Sequence, residues 1–311
     1  YLLDEFADLK VIRFRVPGWD NLSLRQKEYA YHLSEAAKLG RDITWDQYCK
    51  WNLPIRHVVE DILNEYEGDR ECADFQNFTV YAKRLFFANG IHHHYSEDKF
   101  FPECPKEYFQ SLMEAVGDGE QATELLEVIY SPDIYPQRRS TSKTGDIVEL
   151  SAVNFYDGVT REEVDKYYNS MMDPNDKTPI SYGLNTKVVK EDGKVVEKPW
   201  KVGGIYGPAL ERICAELEKA AAVAETDLQK EAIGKLVEYY RTGDLKTWDD
   251  FNIDWVQDTV GTIDFINGFI EDYDDPLGRK ATWEGYVNMK DSAASARTEI
   301  LSANAQWFED N

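Results

Sequence analysis

Between positions 255 and 278 the sequence reads Trp-Val-Gln-Asp-Thr-Val-Gly-Thr-Ile-Asp-Phe-Ile-Asn-Gly-Phe-Ile-Glu-Asp-Tyr-Asp-Asp-Pro-Leu-Gly. Its β-branched and aromatic side chains are mixed with carboxylates, and this composition predicts a strand rather than a helix. Gly268 interrupts the run, and a glycine within a strand marks a bulge, a bend or a close approach of the backbone. Asp264 and Glu271 would then point into the space that opens. The segment is therefore predicted to form the wall of a cleft, closed by a turn at residues 275–278.

The chain contains several short motifs, of which the longest lies near the carboxy-terminal end. The first is Trp-x-Gln-Asp at 255–258, followed after nine residues by Gly-Phe-Ile-Glu-x-Tyr-x-Asp-Pro-x-Gly at 268–278. Others are Arg-Phe-Arg-Val-Pro-Gly at 13–18, Leu-Ser-Glu-Ala-Ala at 33–37 and Asp-Lys-Phe-x-Pro at 98–102. This set resembles the dipeptidyl-peptidase III family of zinc metallopeptidases, which remove dipeptides from the amino termini of short peptides. The resemblance covers nearly the whole chain.

The resemblance implies an α+β fold, in which a largely helical lobe surrounds a small five-stranded β-barrel as one half of a two-lobed peptidase. We expect residues 1–283 to form this barrel-containing, peptide-binding lobe. Residues 284–311 are expected to form the first helix that crosses to a zinc lobe. The length of 311 residues permits one large domain or two smaller ones.

The family's catalytic helix carries the motif His-Glu-x-x-x-His, which supplies two zinc ligands and the glutamate that activates water. No histidine in this sequence is followed by glutamate. The chain therefore resembles the amino-terminal half of the enzyme, and we expect no catalytic residue within it. Zinc is expected only in the full-length enzyme, and the gene sequence beyond Asn311 would show whether a zinc lobe follows.

The predicted substrate-binding residues are Tyr95, Asp264, Phe265, Ile266 and Gly268, and by the resemblance Tyr95 falls where the family has an aromatic residue that contacts the bound peptide. Asp264 aligns with a family glutamate that binds the free α-ammonium of the substrate, although its side chain is one methylene shorter. A carboxylate at this point fits an enzyme that counts residues from an amino terminus, since a charge-assisted hydrogen bond fixes the register. Ile266 replaces a family tyrosine, so the contact of that hydroxyl is lost. The alternatives are an ordinary strand carboxylate at Asp264 and a packed loop tyrosine at Tyr95.

Histidines raise the question of a metal site within the chain itself. His92, His93 and His94 are consecutive, and consecutive side chains alternate on a strand or fan by about 100° on a helix, so at most two would reach one ion. His57 and Glu60 have helical spacing but lie beside a strong apolar face with no second pair of ligands. We therefore predict no metal site in this chain.

Charge limits the possible partners. The formal net charge is −23 and the isoelectric point is near 4.6, so polyanions such as nucleic acid and anionic membrane surfaces would be repelled. The sequence also has no apolar run of the roughly 18 residues that a membrane span requires. Expected partners are short peptides with free amino termini and the carboxy-terminal zinc lobe. We expect a cytoplasmic location, or a periplasmic one after signal removal, since the sequence begins at Tyr1 without methionine.

Two functions follow from these observations. The first is the peptide-binding, non-catalytic portion of a dipeptidyl-peptidase III-like zinc metallopeptidase. The second is a stand-alone peptide-binding protein derived from that lobe.

Local signals predict most of the secondary structure. Ser23 with Gln26 and Thr160 with Glu163 have the spacing of capping boxes, and Asp192-Gly193 is typical of a two-residue hairpin. Further helices are predicted from Pro54, from Asp69, from Pro105 to Val116, from there to Tyr130, from Pro208 to Ala224, from Thr226 to Arg241 and from Trp283 to Phe308. Strands are predicted at 147–155 and along the segment that begins at Trp255.

Overall fold

The computed structural model describes residues 1–311 of the chain. Its α-helices are α1 (Leu24–Leu39), α2 (Arg41–Tyr48), α3 (Asn52–Glu65), α4 (Ala73–Ala88), α5 (Lys106–Ala115), α6 (Ala122–Tyr130), α7 (Arg161–Asn169), α8 (Gly207–Ala222), α9 (Asp227–Thr242), α10 (Leu245–Gln257), α11 (Ser292–Ala303) and α12 (Ala305–Asp310). Its strands are β1 (Leu2–Phe6), β2 (Leu9–Ile12), β3 (Tyr156–Asp157), β4 (Thr186–Glu191), β5 (Lys194–Pro199), β6 (Ile263–Glu271) and β7 (Thr282–Met289). The predicted α+β class is confirmed.

The strands form three small sheets rather than a barrel. β1 pairs with β2, β3–β4–β5 form the second sheet, and β6 pairs antiparallel with β7. The last two sheets together contain five strands, but no ladder joins them. One backbone hydrogen bond, in which the Ala281 N–H donates to Leu184 O at 2.9 Å, connects the residues that precede β7 and β4. The prediction of a closed five-stranded barrel is therefore not supported.

Two hydrophobic cores organise the chain. The first core contains 30 buried residues and lies among α1, α8, α9, α10 and the β6–β7 pair. The second core contains 24 buried residues and lies among α3, α4, α5 and α6. Every residue of the second core falls between Trp45 and Ala152, whereas the first core draws on residues 22–43 and 153–283. The segment that forms the second core is thus inserted, in sequence, between the two segments that form the first core.

Several local predictions are confirmed. The Ser23–Gln26 and Thr160–Glu163 capping boxes begin α1 and α7, and β4 and β5 form the hairpin around Asp192-Gly193. Gly40 ends α1 in the right-handed region, with φ −85°. Residues 147–155 form no strand. None of the helices is both long enough and apolar enough to cross a bilayer.

The region that carries the site departs from two predictions. Trp255 lies in α10, which ends at Gln257, and the strand begins only at Ile263. The helix predicted from Trp283 is wrong at its start, because Thr282–Met289 is β7 and the helix begins at Ser292. Glu284 thus belongs to a strand, and the domain division at 283/284 stays a prediction. Neither α11 nor α12 contains a buried residue.

Candidate functional site

β6 has one face in the protein core and one face outward. Ile263, Phe265 and Phe269 are at most 4% exposed and belong to the first core. Asp264 is exposed and Ile266 is half-buried. This is the alternation expected of a strand with one buried face. Asp264 and Ile266 therefore mark the side on which a ligand can meet this strand.

The carboxylate of Asp264 is held in place by an indole. Trp255 Nε1 donates to Asp264 Oδ1 at 3.0 Å and to Phe265 O at 3.1 Å, and the Phe265 N–H also donates to Oδ1 at 2.8 Å. Oδ2 of Asp264 accepts no hydrogen bond from the chain. One oxygen is thus fixed by the protein while the other is available to a ligand. Trp255 was part of the recognised motif, but this role of its indole was not predicted.

The space beside this carboxylate is shallow. A cavity lined by Trp255, Asp258, Asp264 and Phe265, among others, measures about 10 Å³. That volume is sufficient for no more than a water molecule. A peptide would therefore lie across the open outer face of β6 rather than enter a pocket.

Gly268 shows the close approach that its position in a strand predicts. A Cβ atom on Gly268 would lie 2.8 Å and 3.0 Å from ring atoms of Trp248 on α10. The aromatic ring of Trp248 is 8% exposed and packs at 4.9 Å from Tyr239 and 5.2 Å from Phe251, so it has little room to move. The glycine therefore allows α10 to lie directly against β6.

We expect Gly268→Ala to lower the free energy of unfolding by about 1–3 kcal/mol, because the added methyl overpacks the interface with Trp248. Gly234→Ala is the matched control. Gly234 lies within α9 and an added Cβ meets nothing within 4 Å, so that change should stabilise the protein by about 0.5–1 kcal/mol. Urea unfolding followed by circular dichroism measures both. Equal effects of the two variants would show that the contact with Trp248 has no energetic consequence.

The other predicted site residues lie in different surroundings. The side chain of Phe265 is 4% exposed and packs 6.4 Å from Phe251, so it faces the core and not a ligand. Tyr95 is 88% exposed in the loop between α4 and α5, and its N–H donates to His93 Nδ1 at 3.2 Å. No described contact joins Tyr95 to Asp264. A shared site for these two residues stays a prediction.

The three consecutive histidines have three different partners. His92 is 2% exposed with Nε2 at 2.9 Å from Tyr135 O, and burial lowers the pKa of its ring to about 4. The neutral ring therefore donates to that carbonyl. His93 Nε2 lies 3.0 Å from Asp8 Oδ2, and the ring of His94 packs edge-on against Phe87 at 4.9 Å.

A zinc ion implied by the family finds no suitable ligands in these residues. No group of three or more His, Cys, Asp or Glu side chains within residues 1–311 is arranged to hold a metal ion. The residues of this chain therefore do not fit the metal by themselves.

Comparisons with known proteins agree with the motifs. Residues 156–309 match the model of the family described as Peptidase family M49. Dipeptidyl peptidase 3 of Homo sapiens is 26% identical over 327 residues, which cover 92% of this chain and 44% of that protein. Dipeptidyl peptidase 3 of Dictyostelium discoideum is 24% identical over 316 residues, with the same coverage of 92% and 44%.

Two solved structures share the fold. The structure of DPP III from Caldithrix abyssi superposes with a TM-score of 0.64 at 20% identity, over 94% of this chain and 45% of that one. The structure of dipeptidyl-peptidase III from Corallococcus sp. strain EGB gives 0.62 at 18% identity, over 96% and 45%.

The fold is similar to that of the solved dipeptidyl-peptidase III structures, and the residues from 156 to 309 are similar to the M49 peptidase family. The resemblance to the dipeptidyl-peptidase III family that the motifs indicate is confirmed, over part of the length of those proteins. The chain spans less than half the length of the curated relatives it matches, 44% of the human protein.

Proposed function

We propose that this chain is the peptide-binding, non-catalytic portion of a dipeptidyl-peptidase III-like zinc metallopeptidase that releases dipeptides from the amino termini of oligopeptides. The observation that supports this function is the exposed carboxylate of Asp264, which Trp255 orients and leaves with one free oxygen. Such a group is suited to the α-ammonium of an extended peptide, because hydrogen bonds between charged groups are short and strong. The chain's charge of −23 also attracts a cationic terminus.

Peptide binding tests the proposal directly. Trialanine should bind the chain more tightly than N-acetyl-trialanine, since acetylation removes the positive charge. Asp264→Asn should lower the affinity for trialanine roughly ten- to a hundredfold, because a hydrogen bond to a charged group contributes about 1.5–3 kcal/mol. Isothermal titration calorimetry measures both peptides.

Asp69→Asn is the control, because it removes the same charge from an exposed residue between α3 and α4, in the part of the chain that forms the second core. It should leave both affinities unchanged. Equal binding of free and acetylated trialanine to the unmodified chain, or no binding at millimolar peptide, would contradict the proposal.

Catalysis requires a zinc lobe in this proposal. The 311-residue chain alone should not hydrolyse a dipeptidyl-naphthylamide, and activity should appear when the zinc-binding half of a dipeptidyl-peptidase III is added. Hydrolysis by the metal-free chain alone would contradict the non-catalytic assignment. Tyr95 is exposed and would contribute apolar area to the bound peptide, so Tyr95→Ala should weaken the binding of free and acetylated peptides alike.

A further inference from the structure

The strand β7 brings two polar residues beside Asp264 that the sequence did not point to. In the register of the β6–β7 pair, Asn288 lies directly opposite Asp264 and Tyr286 lies directly opposite Ile266. Both are exposed, whereas Val287 and Met289 between and beyond them pack against the first core. Asn288 and Tyr286 therefore project on the same outer face as Asp264.

All three side chains have unused hydrogen-bonding capacity. The amide of Asn288 and the hydroxyl of Tyr286, which is 45% exposed, make no hydrogen bond within the chain. Oδ2 of Asp264 is equally free, while its Oδ1 is held by Trp255. Directly opposite residues in an antiparallel pair have Cβ atoms about 4.5–5.5 Å apart, and diagonal neighbours about 7–8 Å, within reach of an aromatic side chain. The three side chains therefore lie on one face, close enough together to contact the same ligand.

The number of acceptors matches one chemical group. A primary ammonium has three N–H donors and no acceptor. Asp264 Oδ2, Asn288 Oδ1 and the Tyr286 hydroxyl oxygen supply one acceptor for each donor. The half-buried side chain of Ile266, between Asp264 and Gly268, offers apolar surface to the first residue of the ligand.

We infer that Asn288 and Tyr286, together with Asp264, form a three-acceptor site for the unsubstituted α-ammonium of an extended peptide lying across the outer face of β6 and β7. This inference rests on the proposed function and assigns its specificity to β7. The affinity of this site depends on the number of N–H donors of the ligand as well as on its positive charge. The site selects a primary amine over an alkylated one that carries the same charge.

A ligand that keeps the charge but loses donors separates these two properties. N,N-dimethyl-trialanine retains the positive charge with a single N–H. It should bind the unmodified chain about ten- to a hundredfold more weakly than trialanine, as two of the three hydrogen bonds are lost. Asn288→Ala and Tyr286→Phe should each weaken trialanine about three- to tenfold and reduce its preference over the dimethylated peptide. Asn64→Ala and Tyr31→Phe, at exposed residues of α3 and α1, should change neither affinity.

A second test moves the carboxylate from Asp264 on β6 to Asn288 on β7. If Asp264 and Asn288 face the same ammonium, the double variant Asp264→Asn/Asn288→Asp should recover to within about fivefold of the original affinity for trialanine. The pair Asp264→Asn/Asn64→Asp, which restores the same net charge elsewhere, should not recover. Unchanged melting temperatures by circular dichroism confirm that each variant is folded.

The outcomes distinguish the inference from the proposed function. If the unmodified chain fails to discriminate free from acetylated trialanine, the proposed function fails and this inference with it. If it discriminates through Asp264 but Asn288→Ala, Tyr286→Phe and the dimethylated peptide have no effect, the proposed function stands and the three-acceptor site is refuted. Recovery in the charge exchange together with loss in the Asn64 control supports the site.

Discussion

Arg138→Met is expected to lower the free energy of unfolding by about 3–5 kcal/mol, the usual cost of removing one partner of a buried ion pair. The side chain of Arg138 is 5% exposed and its Nη2 lies 2.9 Å from Asp274 Oδ1, whose own side chain is 2% exposed. Its guanidinium also stacks at 4.2 Å over the Tyr48 ring. Without Arg138 the Asp274 carboxylate loses its main counter-charge, and burial already raises the pKa of this group. Urea unfolding measures the loss.

The neighbouring arginine provides the control. Arg139 has a side chain 33% exposed and lies 3.4 Å from Glu97, so Arg139→Met should cost about 1 kcal/mol or less. The double variant Arg138→Met/Asp274→Asn should be more stable than Arg138→Met alone, because no uncompensated charge stays buried. A double variant as unstable as the sum of its two single changes would refute the assignment.

Lys280 should make the stability of the chain rise with pH. Its side chain is fully buried, and its Nζ donates to Gly183 O at 2.9 Å, to Thr186 Oγ1 at 2.8 Å and to the hydroxyl of Tyr168. Burial lowers the pKa of this amine from 10.5 to about 7, although Glu197 opposes the effect. Above pH 7 the folded chain has therefore released a proton that the unfolded chain still holds until pH approaches 10.5.

The free energy of unfolding consequently increases between these two pKa values by about 1.4 kcal/mol per pH unit. Unfolding measured from pH 7.5 to 9.5 should show the unmodified chain gaining roughly 2–3 kcal/mol relative to Lys280→Met, which cannot titrate at this position. Lys143→Met, at an exposed loop residue, should follow the unmodified chain at every pH. A constant difference between the unmodified chain and Lys280→Met would mean that Lys280 keeps its proton throughout this range.

Local chemistry explains which parts of the fold the sequence predicts well. Ser23 and Thr160 cap their helices through contacts with residues only three positions away, and Asp192-Gly193 closes a hairpin by itself. β7 falls within the helix predicted from Trp283 to Phe308, and Trp283, Tyr286 and Val287 do have spacings that suit a helical face. What makes this segment a strand is pairing with β6 and the approach of Gly285 to Ala37 on α1, where a Cβ would lie 3.0 Å away. Such contacts cannot be read from local periodicity.

In the candidate site, too, some residues could be predicted from a local motif, whereas others depend on strand pairing. Asp264 could be singled out because its motif lies on one continuous stretch, and the structure does place it on the exposed face of β6. Asn288 is 24 residues further along the chain, and only the strand register brings it opposite Asp264. Phe265 was predicted to contact substrate, but strand alternation turns its side chain inward. A prediction of side-chain direction needed the exact start of β6, which the residues from Trp255 onward did not reveal.

The insertion of the second core into the first has a consequence for how the chain reaches its native state. Residues 45–152 are contiguous, so a growing polypeptide holds everything needed for that core while most of the first core has yet to be synthesised. The two ends of the insertion meet again where the Asn154 N–H donates to Gln47 O at 2.8 Å. α1, by contrast, must wait for α8 and β7 before its apolar side is covered. The inserted unit is thus complete in the growing chain before the wall that carries Asp264 has been synthesised.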